Sequence, residues 1–435
     1  MSIDTRALEE SHAHIERVKG RAIRYFYGRL FAEEPGLRAL FPAAMGEQHD
    51  RLFEAVRAVA RLAGDPDAAE ELFGRLGRAH RRYGVTAAHY AAFGRAFAAT
   101  LRVELGADWT PELAAAWRAG YERAAGLMRA AAAEAAGSEP PWWHAEVLAH
   151  ERRAHDLAVL TLRPHGVLRH RPGQHLTVQH PRWPRIWRRY SLAGAPRADG
   201  TVELHVRRVP GGWVSGALVA HTRPGDRLVL GPAEGSMLLD EDSARPLLCV
   251  AGGTGLAPVK ALAEQAAALA RPRRVVLVHA VRDRAGLYDM AALRELRRAC
   301  PAVRLVPAPG DGPGLPAGRE AALRRALAGL DGLAEYDACV SGPPALVRLA
   351  LEALREAGVP EDRIGHELDA HGGAHAAPPA AAGSGPAPEP EEPRGPRLLG
   401  LAARPPQRAA EEGPAAEDDT AVLQLAEAVR HEAVH

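Results

Sequence analysis

The hydrophobic pattern of this sequence changes its period at about residue 140, and this change requires more than one class of domain. From residue 7 to about residue 136, apolar residues recur at helical spacing, for example at Ile23, Phe26 and Leu30, without strand-like alternation. The run Gly137–Pro141 then ends the pattern, because a residue that precedes a proline is disfavoured in a helix. The sequence therefore predicts an all-helical domain, a short extended linker and a following region of another class.

Two residue pairs mark where helices of the first domain begin. Asp65-Pro66 and Thr110-Pro111 each place a side chain that can cap a helix before a proline. The missing N–H of proline costs nothing in the first turn of a helix. We therefore expect one helix to start at Pro66 and another at Pro111.

Beyond the linker, the pattern is that of two further folds. Short β-like segments separated by glycine-containing turns predict a small antiparallel barrel over about residues 142–240. From Leu247, apolar strands alternate with helical stretches, which is typical of a parallel α/β sheet. The predicted strands are Leu157–Leu162, His175–Val178, Thr201–Val206 and Arg227–Leu230 in the barrel, and Leu247–Ala251, Arg274–Ala280, Ala302–Val306 and Tyr336–Val340 in the α/β sheet.

The composition changes again after Asp369, where the chain becomes rich in Ala, Pro and Glu. No Phe, Tyr or Trp follows Tyr336, so residues 370 to about 418 lack the side chains that build a core. We expect this tail to be disordered. Thr420–Val434 has the pattern of a short amphipathic helix, which is either a segment that docks to a partner or a frayed end.

The charge balance and the cysteine content exclude several classes of protein. The 435 residues include 55 Lys and Arg against 54 Asp and Glu, so the net charge of +1 supplies no basic field for nucleic acid. Cys249, Cys300 and Cys339 lie too far apart for a disulfide framework or a four-thiolate iron–sulfur or zinc site. The N-terminus has no apolar signal-peptide core, and no run of about 18 uncharged apolar residues occurs. We expect a cytoplasmic protein with no membrane or nucleic-acid partner.

A glycine-rich turn in the α/β region is suited to a nucleotide. The strand Leu247–Ala251 leads into Gly252–Pro258 (GGTGLAP) and then into a helical stretch. A turn without side chains lets a pyrophosphate reach backbone N–H groups and the positive end of the helix dipole. The turn differs from the G-x-G-x-x-G pattern, and alone it is also consistent with an ordinary tight turn.

Three further stretches suit a flavin joined to this nucleotide site. Arg188–Ser191 (RRYS) places a cation for phosphate, an aromatic face and a hydroxyl on one extended strand. Gly211–Ser215 (GGWVS) offers a second glycine turn at a helix start, and Ser341–Pro344 (SGPP) ends the last strand where a crevice would hold a nicotinamide. Individually, each stretch is compatible with an ordinary turn.

Together, and in this order, these motifs resemble those of the ferredoxin–NADP reductase family over about residues 142–369. The resemblance implies binding of FAD and of NADH or NADPH, and Arg171–Gln174 (RPGQ) is similar to that family's turn beside the flavin. The residues it implies for FAD are Arg188, Tyr190, Ser191, Gly212 and Ser215, and those for NAD(P)H are Gly252, Gly253, Thr254, Gly255, Ser341, Gly342 and Pro343. Arg282-Asp283-Arg284 offers groups for either the ribose hydroxyl of NADH or the 2′-phosphate of NADPH, so the sequence favours neither.

Two positions depart from the family pattern. Ser341 occupies a position where that family often has a cysteine, so a soft, polarisable group is replaced by a hydroxyl and slower hydride transfer is expected. Asp369 falls where the flavohaemoglobin branch of the family closes an aromatic ring over the flavin. Shielding of the flavin is therefore expected to differ from that branch.

The helical region carries a second set of motifs, around a histidine on an apolar stripe. His80 follows Leu72 and Leu76 at helical spacing, which alone is more typical of a core histidine than of a metal ligand. The surrounding motifs resemble the globin domain of flavohaemoglobins over about residues 7–136. They are Phe26–Phe31, Leu40–Pro42, Gln48, Leu52-Phe53, Leu76–His80 and His89-Tyr90.

This second resemblance implies a haem b site. It makes His80 the proximal ligand of the haem iron, with Phe41 and Leu52 against the haem, and Tyr27 with Gln48 as the distal polar pair. It also makes Tyr90 and Glu134 the residues that support His80, Glu134 being aligned through Trp117 and Tyr121. An imidazole made electron-rich by a carboxylate favours O–O chemistry over reversible O₂ carriage.

The two resemblances together imply a multidomain chain of the flavohaemoglobin kind. They predict an all-α globin domain at residues 1–137, an antiparallel β-barrel FAD-binding domain at 138–241, an α/β parallel-sheet NAD(P)-binding domain at 242–369 and a low-complexity tail at 370–435. The implied activity is that of a nitric oxide dioxygenase acting against nitrosative stress, with O₂, NO and NAD(P)H as substrates. Tyr27, Gln48, Tyr90 and Glu134 are then its catalytic residues.

Two other functions are consistent with the same residues. One is a haem-based sensor of O₂ or redox state, in which the tail binds a partner and the reductase region sets the oxidation state of the iron. The other is a general NAD(P)H-dependent flavin or ferric-haem oxidoreductase without a role for NO. Formation of nitrate distinguishes the dioxygenase from both.

Overall fold

The computed structural model describes residues 5–42, 45–310 and 316–366. Asp369, the tail at residues 370–435 and the predicted helix Thr420–Val434 lie outside the described residues. No helix in the described part of the chain is both long enough and apolar enough to cross a bilayer.

The first described region is all helical, as the sequence predicts. Its helices are α1 (Thr5–Arg17), α2 (Lys19–Glu33), α3 (Gly46–Arg61), α4 (Pro66–His80), α5 (Ala87–Leu105) and α6 (Pro111–Ala136). Both predicted helix starts are confirmed, because Asp65 accepts a hydrogen bond from Ala68 N at 3.1 Å and Thr110 accepts one from Leu113 N at 3.2 Å. Phe26, Leu30 and Trp117 are buried in the common core of these helices.

Helices α4 and α6 approach each other closely at one glycine. A Cβ atom on Gly77 would lie 2.0 Å from the carbonyl oxygen of Met128, so only a residue without a side chain is compatible with this crossing. The buried residues of α4 are Ala69, Phe73, Gly74 and Gly77. The stripe Leu72, Leu76 and His80 is only partly buried and follows a different line along the helix.

A six-stranded antiparallel sheet follows the linker. Its strands are β1 (Trp143–Ala154), β2 (Leu157–Pro164), β3 (His175–Gln179), β4 (Trp187–Ser191), β5 (Val202–Arg207) and β6 (Arg227–Leu230), with helix α7 (Trp213–Ala220) after β5. They are ordered β4-β3-β6-β1-β2-β5. In the described residues the edge strands meet at the Leu192–Leu204 bridge, so the sheet curls into the predicted barrel without closing fully. The four predicted strands of this region are confirmed.

A five-stranded parallel sheet forms the third region. Its strands are β7 (Leu247–Gly252), β8 (Val275–Val281), β9 (Val303–Pro309), β10 (Asp337–Ser341) and β11 (Ile364–His366), in the order β11-β10-β7-β8-β9. The helices that accompany them are α8 (Leu256–Ala268), α9 (Met290–Ala299), α10 (Pro316–Ala328) and α11 (Pro344–Glu356). The crossover helices confirm the predicted α/β architecture.

Candidate functional site

His80 is the last residue of α4, and its ring is oriented by its own helix. The Nδ1–H group donates a hydrogen bond to the carbonyl oxygen of Leu76 at 2.6 Å. This hydrogen bond leaves the lone pair of the imidazole on Nε2. Burial lowers the pKa of His80, so the ring is neutral near pH 7. A neutral imidazole with an oriented Nε2 is the form that coordinates a haem iron.

The distal pair predicted from the sequence is brought together by α2 and α3. Tyr27 is 6% exposed, and its ring packs at 5.6 Å from the rings of both Phe31 and Phe41. The side chain of Gln48 hydrogen-bonds the Tyr27 hydroxyl, and burial raises the pKa of this tyrosine. The hydroxyl is therefore protonated across the ordinary pH range and able to donate a hydrogen bond to a ligand.

The walls around this pair are apolar. Phe41 follows the 3₁₀ turn Pro35–Leu40, and Leu52, one turn after Gln48 on α3, is buried. A neutral histidine, a protonated distal hydroxyl and aromatic walls form a donor set that suits an iron porphyrin.

Sequence reasoning missed His49 in the distal region. Its ring centroid lies 5.3 Å from that of Tyr27, closer than the rings of Phe31 or Phe41. The only available signal was its position next to Gln48, and a sequence position does not reveal which way an adjacent side chain on a helix points.

Tyr90 and Glu134 occupy places that differ from their expected support of His80. Tyr90 is partly buried near the start of α5, and its carbonyl oxygen accepts a hydrogen bond from the Tyr121 hydroxyl at 2.6 Å. Glu134 is exposed on α6. Among the described residues, no hydrogen bond or ring contact joins either side chain to His80, whose ring neighbour is Tyr83 at 6.2 Å.

The flavin motif lies on β4, at one edge of the antiparallel sheet. Arg188 and Tyr190 project from the same face of the strand, because side chains alternate along it. The Nη1 atom of Arg188 donates to the carbonyl oxygen of Trp187 at 3.0 Å, and burial raises the pKa of Tyr190. Ser191 ends the strand opposite His175 of β3. The structure thus places the cation and the ring of the motif on one face of β4, and the hydroxyl at its last residue, on the other face.

The second glycine turn is braced by its own serine. Gly211 has a φ angle of +71°, and Gly212 directly precedes α7. The hydroxyl of Ser215 accepts a hydrogen bond from Val209 N at 3.1 Å and donates one to the Gly212 carbonyl oxygen at 3.4 Å. Ser215 therefore holds the glycine turn that leads into α7, and the backbone N–H groups at a helix start of this kind suit a pyrophosphate.

The two nicotinamide motifs, almost ninety residues apart in sequence, pack directly against each other. A Cβ atom on Gly255 would lie 2.3 Å from the Ser341 carbonyl oxygen, and one on Gly342 would lie 2.9 Å from the Gly252 Cα atom. A Cβ atom on Gly252 would lie 3.0 Å from the Cδ atom of Pro343. Parallel pairing of β7 with β10 produces this contact, and it leaves a cleft edge lined by backbone.

A histidine that sequence reasoning missed supports this turn from the neighbouring strand. His279 on β8 is 1% exposed, and its Nε2 atom donates to the Gly253 carbonyl oxygen at 3.1 Å. Gly253 itself has a φ angle of +57°, and Thr254 next to it is partly buried. Asp283, considered for the ribose, accepts a hydrogen bond from Gly286 N at 3.0 Å, with exposed arginines on either side.

A buried charged cluster joins the antiparallel and parallel sheets. Lys260 of α8 is 4% exposed, and its ammonium lies 3.0 Å from Glu203 and 2.9 Å from Asp289. His205 contacts Glu203 at 3.0 Å through Nε2 and the Tyr288 hydroxyl at 2.7 Å through Nδ1. Glu203, His205 and Asp289 are close enough together to ligate a metal, but the ammonium of Lys260 already compensates their charge.

Comparisons with known proteins identify three domain families along the chain. Residues 24–128 match the globin family, residues 144–237 the FAD-binding domain of oxidoreductases and residues 249–352 the NAD-binding domain of oxidoreductases.

Two curated relatives match over two thirds or more of the chain. The flavohemoprotein of Bordetella pertussis is 32% identical over 316 residues, which are 67% of this chain and 77% of that protein. The flavohemoprotein of Chromobacterium violaceum is 29% identical over 403 residues, which are 85% of this chain and 98% of that protein. A crystal structure of flavohemoglobin from Malassezia yamatoensis with bound FAD and heme has a TM-score of 0.65 at 18% identity, covering 82% of this chain and 98% of that one, which is a likeness of fold.

Proposed function

Since this chain belongs to the flavohaemoprotein family, we propose that it is a nitric oxide dioxygenase, which oxidises NO with O₂ to nitrate at its haem. The chain is an NAD(P)H-dependent oxidoreductase with globin, FAD-binding and NAD-binding domains. One NO, one O₂ and one electron give one nitrate, so each NAD(P)H supplies the two electrons for two turnovers. The observation that carries the proposal is the hydrogen-bonded pair of Tyr27 and Gln48 in the domain that also holds the neutral His80.

The cofactors divide the chemistry between the domains. Bound haem supplies an iron that takes up O₂, FAD converts a hydride into single electrons, and NAD(P)H supplies the hydride. His80 is the proposed iron ligand, with Phe41 and Leu52 against the porphyrin. Arg188, Tyr190, Ser191, Gly212 and Ser215 are the proposed FAD residues, and Gly252, Gly253, Thr254, Gly255, Ser341, Gly342 and Pro343 the proposed NAD(P)H residues.

The distal residues act as fixed hydrogen-bond donors. The Tyr27 hydroxyl is protonated because burial raises its pKa, and Gln48 holds its orientation. A donor that is already oriented stabilises negative charge on a bound ligand without the cost of reorganisation. The aromatic walls formed by Phe31 and Phe41 exclude water from the donor.

The proximal side supports this chemistry through the backbone. The Leu76 carbonyl accepts the Nδ1 proton of His80 and makes the imidazole a stronger electron donor. Tyr90 and Glu134 remain proposed catalytic residues by resemblance, and in the described residues Leu76 accepts the hydrogen bond of the His80 ring.

The experiment that tests the proposal removes both distal donors. The variant Tyr27→Phe with Gln48→Leu is expected to lose NADH-dependent NO removal in air by about 100-fold, with nitrate formation lost in parallel. Flavin reduction by NADH should be unchanged, because both residues lie in the helical domain. Tyr25→Phe on the same helix is the matched control and is expected to keep wild-type activity.

Unchanged NO removal in the double variant would exclude the distal mechanism. If NADH reduces the haem of the wild-type protein but no nitrate forms, the general oxidoreductase is favoured instead.

We also place the protein in the cytoplasm. Its three cysteines are free and buried, and Cys249 and Cys339 are register partners on neighbouring strands without a disulfide between them. Burial raises the pKa of Cys339 to about 12, so its thiol is inert. Thiols of this kind suit a reducing compartment.

A further inference from the structure

One arginine of the helical domain is buried against the antiparallel sheet. Arg82 lies in the 3₁₀ turn Arg81–Tyr83 that follows α4, two residues after His80. Only 7% of its side chain is exposed. A buried arginine is costly unless its charge and its N–H groups are all satisfied, so its surroundings show what the position is built for.

The guanidinium of Arg82 is satisfied from both domains. Its Nε atom donates to the Ala79 carbonyl oxygen at 2.8 Å, which fixes it to the end of α4. Its Nη1 atom donates to the Thr177 hydroxyl on β3, and its Nη2 atom lies 3.8 Å from a carboxylate oxygen of Glu234. The planar group also lies 5.3 Å from the ring centroid of Trp187, the first residue of β4.

The sheet has room for this contact because a glycine stands beside it. A Cβ atom on Gly231 would lie 2.3 Å from the Thr177 hydroxyl and 3.6 Å from Nη1 of Arg82. The contact reaches the strand of the flavin motif, since Trp187 directly precedes Arg188. Trp187 faces the opposite side of β4 from Arg188 and Tyr190, so Arg82 holds the strand without entering their face.

We propose that Arg82 is a positioning residue for electron transfer from the flavin to the haem. The inference rests on the proposed cofactor sites, with haem on His80 and flavin on β4. Each transfer oxidises the reduced flavin by one electron and reduces the iron from ferric to ferrous, and two transfers use the electron pair delivered as hydride. Electron transfer slows steeply with distance, so a residue that fixes α4 to β3 and β4 sets its rate.

The test follows both cofactors separately in the holoenzyme. Rapid mixing with NADH under anaerobic conditions records loss of flavin absorbance and the shift of the haem Soret band. In Arg82→Ala, flavin reduction should stay within about twofold of wild type, whereas haem reduction should slow at least tenfold. Arg82→Lys keeps the positive charge but lacks the planar guanidinium with its three nitrogens. It should recover part of the rate of haem reduction. Arg78→Ala, an exposed arginine one turn earlier on α4, is the matched control and should behave as wild type.

Two results would overturn the inference. Haem reduction in Arg82→Ala at the wild-type rate would show that the contact does not set the transfer. An equal slowing of flavin and haem reduction would show that Arg82 acts on the flavin site itself. If Arg82→Ala does not retain both cofactors, Glu234→Gln takes its place, since it removes the charge partner on the sheet. Slower haem reduction in that variant supports the inference, and an unchanged rate contradicts it.

A second readout does not depend on activity. Hydrogen exchange in the oxidised holoenzyme without substrate should be faster in Arg82→Ala at the amides of β3, β4 and the end of α4, and unchanged in Arg78→Ala. Unaltered exchange at all three elements would contradict the docking role. Neither experiment measures NO, so the two proposals fail in different ways. Failure of the dioxygenase proposal appears as reduced haem without nitrate formation. Failure of this inference appears as haem reduction at the wild-type rate in Arg82→Ala.

Discussion

His279 holds the nucleotide-binding turn through a single ring nitrogen. Its Nε2–H group donates a hydrogen bond to the Gly253 carbonyl oxygen, and its buried Nδ1 atom has no hydrogen-bond partner among the described residues. Protonation of Nδ1 would place a charge in this buried site. Burial lowers the pKa of His279 to about 4, while hydrogen bonding to Gly253 and the charge of Asp289 act in the opposite direction.

The first prediction is an acid-sensitive NAD-binding domain. The folded pKa of His279, about 4, lies below its value of about 6.5 in the unfolded chain, so the unfolded chain binds more protons between these values. The stability that this group contributes is complete above pH 6.5 and is lost as the pH falls toward 4. From pH 7 to pH 5 the loss is about 2 kcal/mol.

Hydrogen-exchange protection of the β7 and β8 amides, corrected for the intrinsic exchange rate, measures this loss. His279→Gln retains an N–H donor but does not titrate. Between pH 7 and pH 5, its protection should therefore fall by about 2 kcal/mol less than that of the wild type. The prediction fails if the variant and the wild type lose the same protection.

A motif in the sequence indicates candidate residues, whereas a residue whose contacts are only tertiary gives no such signal. Tyr27 and Gln48 are predicted as a pair and do meet. His49, His279 and Arg82 carry no motif, because their partners come from other helices and strands. A lone histidine or arginine looks the same in sequence whether it is solvated or buried.

At the scale of elements, strand prediction depends on how a strand is buried. The predicted strands of the parallel sheet agree with β7 to β10 within a few residues. For β7 and β8 the reason is that strands buried on both faces are continuous apolar runs. The twelve-residue β1 is absent from the predicted segments. Its second half carries charged, exposed residues, and its register shifts twice along β2, between Val147 and Ala149 and between Arg152 and Ala154.

The crossing of α4 and α6 gives the second prediction, in the variant Gly77→Ala. Alanine is the better helix former by about 1 kcal/mol, but its Cβ atom would lie 2.0 Å from the Met128 carbonyl oxygen, and both groups belong to helix backbones. The helices must separate, so a net loss of about 2 kcal/mol is expected. Because α4 ends at His80, haem retention should weaken as well.

Thermal unfolding of the helical domain followed by the Soret band measures both effects. Gly126→Ala on α6 is the matched control, since a Cβ atom there meets nothing within 4 Å. It should be neutral or stabilising by up to about 1 kcal/mol. Equal stability of the two variants would contradict the close crossing.

At the scale of the whole molecule, buried polar contacts connect the domains in the order of the proposed electron path. The cluster around Lys260 joins α8, which follows the nicotinamide turn, to β5 of the flavin-binding sheet. Arg82 joins β3 and β4 of that sheet to the helix of His80. The resemblance predicted the domains and their order. It predicted neither of these two connections, because each depends on contact between elements that are distant in sequence.

The last prediction concerns the two lysines of the chain, Lys19 and Lys260. Lys260→Met removes the ammonium from both Glu203 and Asp289, which leaves Asp289 buried without its lysine partner and Glu203 with Arg197 at 3.0 Å. Burial alone would raise the pKa of Glu203, whereas its hydrogen bond from His205 and the charge of Lys260 lower it well below the ordinary range. Removal of one partner from a buried ion pair costs about 3–5 kcal/mol, so flavin release on heating should occur at a clearly lower temperature in this variant.

Lys19→Met provides the matched control. Lys19 pairs with Asp50 at 2.6 Å, but the lysine side chain is 39% exposed and that of Asp50 74%, so water screens the pair and its loss should cost less than about 1 kcal/mol. Adding Glu203→Gln to Lys260→Met removes one of the two carboxylates that lost the ammonium and should restore part of the lost stability. In the wild type, the stability contributed by Glu203 is present above its unfolded pKa and is lost as the pH falls through the depressed value. Lys260→Met reduces that depression, so its flavin-release temperature should depend less on acid than that of the wild type. Equal effects of the two lysine substitutions would show that the cluster does not hold the flavin-binding and NAD-binding domains together.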